Sequence, residues 1–283
     1  MINDNFNITL LIFACESREQ LLPKTIASFR ENLEYGFNSI ILALDGKYDT
    51  RNIDLVKPDL IINNYQRGGY IKSICNALKL VNTEFLFWLE EDWEFNQPVN
   101  LNHLLDSLRK NPEWVQIRLS KIAPLTQEEK ANEIANSIYE SIYGFSANPC
   151  LCRTSHIKAG FEALQKSSFS ETLGFEEFLS LWFSNNSMIC TVLDPEKSPM
   201  VIHSGYLEST PRQWHMTASL DGKTDRYLSA MEHAGDPKFW QKCLMIYKLN
   251  QAAFILSIRI LLSRAAYDLS FRIFNVIRQF KDY

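Results

Sequence analysis

The 283 residues of this chain predict an α/β fold built on a mostly parallel, doubly wound sheet with flanking helices. Short apolar runs of strand length recur along the first third, each separated from the next by a segment with helical spacing. The runs are apolar on both faces, as strands covered from both sides require. A hydrophobic content of 46% with 12% aromatics can fill one large core and argues against intrinsic disorder.

The first strand is expected over 8–14, an uninterrupted apolar run. Ser17 can cap the helix that follows, in which Leu22, Ile26, Phe29 and Leu33 recur at helical spacing. A second strand over 39–44 ends at Asp45-Gly46, and a third over 60–62 leads through Asn63-Asn64 to the turn at Gly68-Gly69. A helix over 70–80 carries Ile71, Ile74 and Leu78 on one face, and a fourth strand over 85–89 runs into Glu90-Glu91-Asp92. Further strands are expected over 114–119, 147–153, 189–193 and 200–203, with helices after Thr154-Ser155 and over 171–183. The polar stretch 126–141 reads as helical or mobile.

Ligands of open α/β sheets bind beyond the carboxyl ends of the strands. Glu16, Asp45, Asn64 and the acids 90–92 all fall at such ends, although Asp, Asn and Gly also populate ordinary loops. Three adjacent acids at a strand end repel one another, and a hard divalent cation would relieve that repulsion. A solvated acidic turn is the plainer reading of the same residues.

A net charge of −4 argues against a general nucleic-acid binder. The six cysteines (15, 75, 150, 152, 190 and 243) are scattered in mostly apolar surroundings, as expected of buried thiols in a reducing compartment. No paired CxxC suggests zinc. The first residues lack the basic start and apolar run of a signal peptide, so a cytoplasmic protein is expected.

The order of these motifs resembles the inverting, nucleotide-sugar-dependent glycosyltransferases of the family-2 type, which have the GT-A fold, over roughly residues 8–205. Leu44-Asp45-Gly46-Lys47-Tyr48-Asp49 looks like that family's D-G-S-x-D turn, which implies that Asp45 lies near the nucleotide. Asn64, Arg67-Gly68-Gly69 and Asn76-Ala77-Leu78 fall where the family has its N-x-G element and R-N-x-G helix. Glu90-Glu91-Asp92 sits at the D-x-D metal motif, and His203-Ser204-Gly205 resembles the late histidine that completes the metal site in some relatives. Glu176-Glu177 sits at the acceptor-side E-D motif.

The resemblance implies a nucleotide-sugar donor bound by Glu16, Asp45, Asn64, Arg67 and Glu91. It also implies Mn²⁺ or Mg²⁺ on Glu90, Asp92 and His203, and Glu177 as general base with Glu176 its close rival. A glycan or lipid-linked acceptor would take the sugar. The chain departs from the family in carrying Glu for the first Asp of the metal motif and Glu for the last residue of the acceptor motif. The Q-x-x-R-W signature of processive synthases is not found.

Two other readings are a sugar-1-phosphate nucleotidylyltransferase and a non-catalytic glycan- or membrane-binding descendant of the fold. Arg18 and Pro23-Lys24 resemble the R-x₄-P-K element of the former, but Cys15-Glu16-Ser17 lacks its glycine-rich loop.

A catalytic domain over 1–240 and a helical extension over 241–283 are expected. From 252 to 280, Ile255, Ile258, Leu262, Ala265, Leu269, Val276 and Phe280 mark one face of a long amphipathic helix. Arg259, Arg264, Arg272, Arg278 and Lys281 break any span long enough to cross a bilayer. Such a helix packs on its own domain, on a second copy in a homodimer, or on an anionic membrane surface as a peripheral anchor.

Overall fold

The computed structural model describes residues 7–204 apart from 17, 19, 34, 49–52, 65–68, 122–123 and 168–173, and only the backbone of Asn64. The chain divides into two compact units, 1–207 and 208–283, and the described residues belong to the first. The expected boundary at 240, the helix over 252–280, Ser17 and Arg67 lie outside the described residues.

Strand β1 (Ile8–Cys15) is followed by helix α1 (Leu22–Asn32). The helix starts later than a cap at Ser17 would set it: Leu21 is the N-cap, and Pro23 lies in the first turn, where its missing N–H leaves no bond unmade. Strand β2 (Ser39–Asp45), the short helix α2 (Ile53–Val56), strand β3 (Leu60–Asn64), helix α3 (Tyr70–Leu78) and strand β4 (Phe85–Glu90) continue the alternation.

Strand β5 (Trp93–Phe95) and helix α4 (Leu101–Lys110) go beyond the sequence expectation. The signals for α4 are present: Asn100 accepts a hydrogen bond from the His103 N–H at 3.1 Å, and Leu101, Leu104, Leu105 and Leu108 line its buried face. Strand β6 (Trp114–Leu119) has the expected bounds.

The polar stretch 126–141 is not one helix. It forms a single turn, α5 (Gln127–Lys130), and a hairpin of β7 (Glu133–Ala135) and β8 (Ile138–Glu140). Only Ile138 is buried among the hairpin's strand residues, so apolar alternation is too sparse to reveal it. The rest follows the expected order: β9 (Cys150–Arg153), which starts three residues later than expected, α6 (Thr154–Lys166), α7 (Phe175–Asn185), which opens after a Gly174 N-cap and not at 171, β10 (Ile189–Leu193) and β11 (Val201–His203).

Among the described residues the main sheet has nine strands in the order β3-β2-β1-β4-β9-β6-β10-β8-β7. All point the same way except β8 and β9, so the sheet is mostly parallel with one reversed strand inserted between β4 and β6. Alternation in β4 serves both faces. Phe85, Phe87 and Leu89 join the core under α1 and α4, whereas Leu86 and Trp88 join the core under α3, α6 and α7. All five are fully buried, and each such side chain contributes about 1.5–3 kcal/mol. Thr9, also fully buried, is satisfied by the Thr83 hydroxyl at 2.7 Å and the Ser39 hydroxyl at 3.0 Å.

A second, two-stranded sheet pairs β5 with β11 antiparallel, His203 opposite Trp93. This small sheet brings residue 203 to the end of β4.

Candidate active site

Because β1 to β4 run parallel, their carboxyl ends share one edge of the sheet, with Cys15 level with Asp45 and Asp45 level with Asn64. Glu16, Asp45, Asn64 and the acids 90–92 therefore gather on one rim.

At the β1–β2 side the turn is tightly specified. Gly46 has φ +95°, and a Cβ there would lie 2.5 Å from Glu16 Oε2, so only glycine fits. Glu16 Oε2 accepts from the Lys47 N–H at 3.2 Å, and Asp45 Oδ2 accepts from the Gly69 N–H at 3.1 Å. Asp45 thus ties the second strand to the start of α3.

The three acids part company beyond β4. Glu90 accepts from the Tyr70 hydroxyl and, at 3.4 Å, from the Trp93 indole N–H. Glu91 turns to the β1 side, where Oε1 accepts from the Cys15 N–H and thiol, both at 3.3 Å, and pairs with Arg18 Nε at 3.4 Å. The Cys15 thiol is pushed up to about 12, by burial first and then by Glu91, so it is a neutral donor and no nucleophile. The Thr25 hydroxyl donates to the Glu91 carbonyl at 2.5 Å and anchors the loop to α1.

Asp92 is 1% exposed. Its Oδ2 meets both Arg18 Nη2 and, at 2.7 Å, His203 Nε2. Its Oδ1 is buried and has no hydrogen-bond partner among the described residues. The His203 ring stacks on Trp93 with centroids 4.3 Å apart and planes 10° from parallel, and the Ser204 N–H and hydroxyl hold the Asp92 carbonyl at 2.9 and 3.0 Å. Backbone pairing, stacking and side-chain contact all fix the histidine against the aspartate.

Burial raises the Glu90 carboxyl from 4.5 to about 8, reinforced by Asp92 and opposed by the Tyr70 hydroxyl. Burial likewise brings Glu91 to about 7, with Arg18 opposing. For Asp92 burial acts upward too, but His203 and Arg18 outweigh it and hold the carboxyl below its usual range.

Between about pH 4.5 and about 8 the folded protein therefore keeps a proton on Glu90 that the unfolded chain has released, so stability falls as pH rises across that window. Urea midpoints should decline over that range, and less steeply in Glu90→Gln, which mimics the protonated acid. An equally steep decline in the variant would place the proton elsewhere.

Among the described residues no three His, Cys, Asp or Glu side chains converge on one ion position. Asp92 and His203 nonetheless fit a divalent cation as two protein ligands, because a buried carboxylate oxygen stands unpartnered beside an imidazole. Hard ions commonly take one or two carboxylates and complete their shell with phosphates and water.

Glu176 and Glu177, at the start of α7, face different ways. Glu177 Oε2 accepts from the Gly174 N–H at 3.1 Å, capping its own helix. Glu176 Oε1 accepts from the Ala147 N–H at 2.6 Å, and its charge reaches Glu90, Tyr70, Arg118 and Lys121. Lys121 keeps an open flank yet is largely ringed by protein, which lowers its ammonium pKa against the pull of Glu176, and its Nζ stands 6.0 Å from the centre of the Trp93 ring.

Sequence reasoning missed Arg18, Tyr70 and Trp93 as parts of this site. Position alone could have flagged them: Arg18 follows β1, Tyr70 opens α3 and Trp93 follows the acids, all on the edge where ligands bind.

This architecture is the GT-A glycosyltransferase fold. The chain is similar to the crystal structure of GalNAc-T7 with UDP, GalNAc and Mn²⁺, with a TM-score of 0.51 and 15% identity over 83% of this chain and 52% of that one. It is also similar to S. aureus TarS, with a TM-score of 0.48 and 15% identity over 76% of this chain and 39% of that one. The chain thus spans about half the length of the first structure and less of the second. No family model and no curated protein matches the sequence. No helix among the described residues is long and apolar enough to cross a membrane.

Proposed function

We propose that this chain is a metal-dependent inverting glycosyltransferase of the family-2 type, moving a sugar from a nucleotide-sugar donor to a hydroxyl of a glycan or lipid-linked acceptor. The observation that carries this reading is the Asp92–His203 pair on the carboxyl edge of the sheet, with one buried Asp92 oxygen unpartnered. The fold it shares with a protein crystallised with UDP, GalNAc and Mn²⁺ supports the nucleotide-sugar and metal parts of this reading, while inversion rests on the family-2 resemblance of the sequence.

In this reading Asp45 lies near the nucleoside end of the donor, Asn64 and Arg67 serve donor binding as the family resemblance implies, and Glu16 and Glu91 hold the loops around Asp45 and β1. Asp92 and His203 hold Mn²⁺ or Mg²⁺, which when bound supplies positive charge to the departing diphosphate. Glu90, bonded to Tyr70 and Trp93, shapes the wall between metal and acceptor.

Glu176 is the base. The Glu176 and Glu177 carboxylates each hold one backbone N–H, but the charge of Glu176 reaches Glu90 and Tyr70 on the ligand edge, whereas Glu177 turns back to cap its own helix. The acceptor oxygen bonds to the anomeric carbon as the bond to the diphosphate breaks, and its proton passes to Glu176.

The test is incubation with UDP-, GDP-, CDP- and dTDP-sugars, with and without Mn²⁺, following nucleoside diphosphate release and product configuration by NMR. Metal-dependent release with inversion at the anomeric carbon is expected. Retention would remove the role given to Glu176. Stabilisation by UDP with Mn²⁺ and no turnover of any donor would favour a non-catalytic binding protein.

A further inference from the structure

We infer that Arg18 is a built-in competitor of the metal: it holds Asp92 until a divalent cation claims that carboxylate, and it is then free to take the donor diphosphate. The inference rests on the metal and donor reading above.

Arg18 follows β1 on the ligand edge, 15% exposed at its side chain, and forks between two acids. Its Nε pairs with Glu91 Oε1 at 3.4 Å, and its Nη2 with Asp92 Oδ2. Glu91 is further held by Cys15, so one arm of the fork is anchored. The other arm lies on the carboxylate that, with His203, would hold the ion.

A divalent cation and a guanidinium on one carboxylate repel each other. Metal entry therefore weakens the Nη2 contact and leaves the two Nη2 N–H groups, with Nε still held by Glu91, in need of an acceptor at a largely buried site. The diphosphate of a nucleotide sugar is the anion delivered to this edge, and guanidinium groups bind phosphate oxygens through such paired N–H groups. Held to Asp92, Arg18 keeps the acids neutralised in the empty protein. Released, it adds a second positive charge beside the leaving group. Metal and donor then bind cooperatively, because each removes a cost borne by the other.

Two titrations test this: free Mn²⁺ followed by electron paramagnetic resonance, and UDP at saturating Mn²⁺ followed by calorimetry. In Arg18→Ala, Mn²⁺ alone should bind about tenfold tighter than in the wild type, since it displaces no charge-assisted hydrogen bond. UDP should bind about tenfold weaker, since the variant lacks its phosphate partner. A merely structural role would weaken both, so the opposite signs are diagnostic.

Mn²⁺ affinity that is unchanged or reduced, or UDP affinity that is unchanged, overturns the inference. If Arg18→Ala does not fold, Arg18→Lys decides, because an ammonium keeps the charge but not the fork. The same two signs at smaller size are expected, and wild-type behaviour in both titrations rejects the idea. A wild-type protein that binds no Mn²⁺ even with UDP overturns the metal reading itself, along with this inference.

Discussion

Glu176→Gln is expected to lower sugar transfer by about 10²–10⁴-fold, the usual contribution of a positioned general base, while UDP binding in the presence of Mn²⁺ stays near the wild-type level. The amide is isosteric and can still accept from the Ala147 N–H at the 2.6 Å separation seen for Glu176 Oε1, so the start of α7 should be preserved. What it lacks is a carboxylate able to take the proton of the attacking hydroxyl. The contrasting variant is Glu177→Ala, which removes the acceptor for the Gly174 N–H. It should cost about 0.5–2 kcal/mol of stability, as lost caps do, and leave the rate per folded molecule nearly intact. Rates paired with urea midpoints separate the two effects. Full activity in Glu176→Gln, with collapse in Glu177→Ala beyond its stability loss, would exchange the two roles.

Asp92→Ala should abolish both transfer and the Mn²⁺-dependent part of UDP stabilisation in a thermal-shift measurement. The same change leaves Arg18 and His203 facing a cavity without their shared anion. Breaking a buried pair of this kind costs about 3 kcal/mol, the low end of the usual range because Arg18 keeps 15% of its side chain exposed. Asp92→Asn retains the shape and a hydrogen bond to His203 and should lose less stability, yet it should also lose metal response because the amide is a poor ligand for a hard cation. A wild-type response to Mn²⁺ in either variant would move the metal away from Asp92.

Much of the scaffold is legible as period and punctuation. β1 and β4 were readable because each is buried on both faces and written as an unbroken apolar run, β2 and the edge strand β3, whose Leu60 and Ile61 are exposed, from their apolar runs alone, and the helix over Tyr70–Leu78 because one face is apolar at helical spacing. The β7–β8 hairpin was not, since it lies at the sheet margin and buries little. The reversed direction of β9 was hidden for a different reason. Cys150–Arg153 is an apolar run like its neighbours, and no property of a run reports which way it will be paired.

The site divides along the same line. That acids stand at the end of an apolar strand is a local fact of the chain, as is the order of Asp45, Asn64 and the acids along parallel strand ends. That His203, 111 residues beyond Asp92, closes on it depends on the β5–β11 pairing and the stacking of its ring on Trp93. The family resemblance put Glu177 ahead of its close rival Glu176 as base, but spacing along the chain cannot decide which of the two faces the site. Consecutive helical side chains point about 100° apart, and the helix's rotation against the sheet turns Glu176 to the Ala147 N–H and Glu177 back onto the Gly174 N–H at the start of its own helix. Arg18 lies in a loop, where spacing carries no directional information. Residue types and their sequence order set the strand ends and the charges they carry. Which charges meet was settled only by long-range packing, because contact between side chains is a property of three-dimensional position, which local periodicity does not encode.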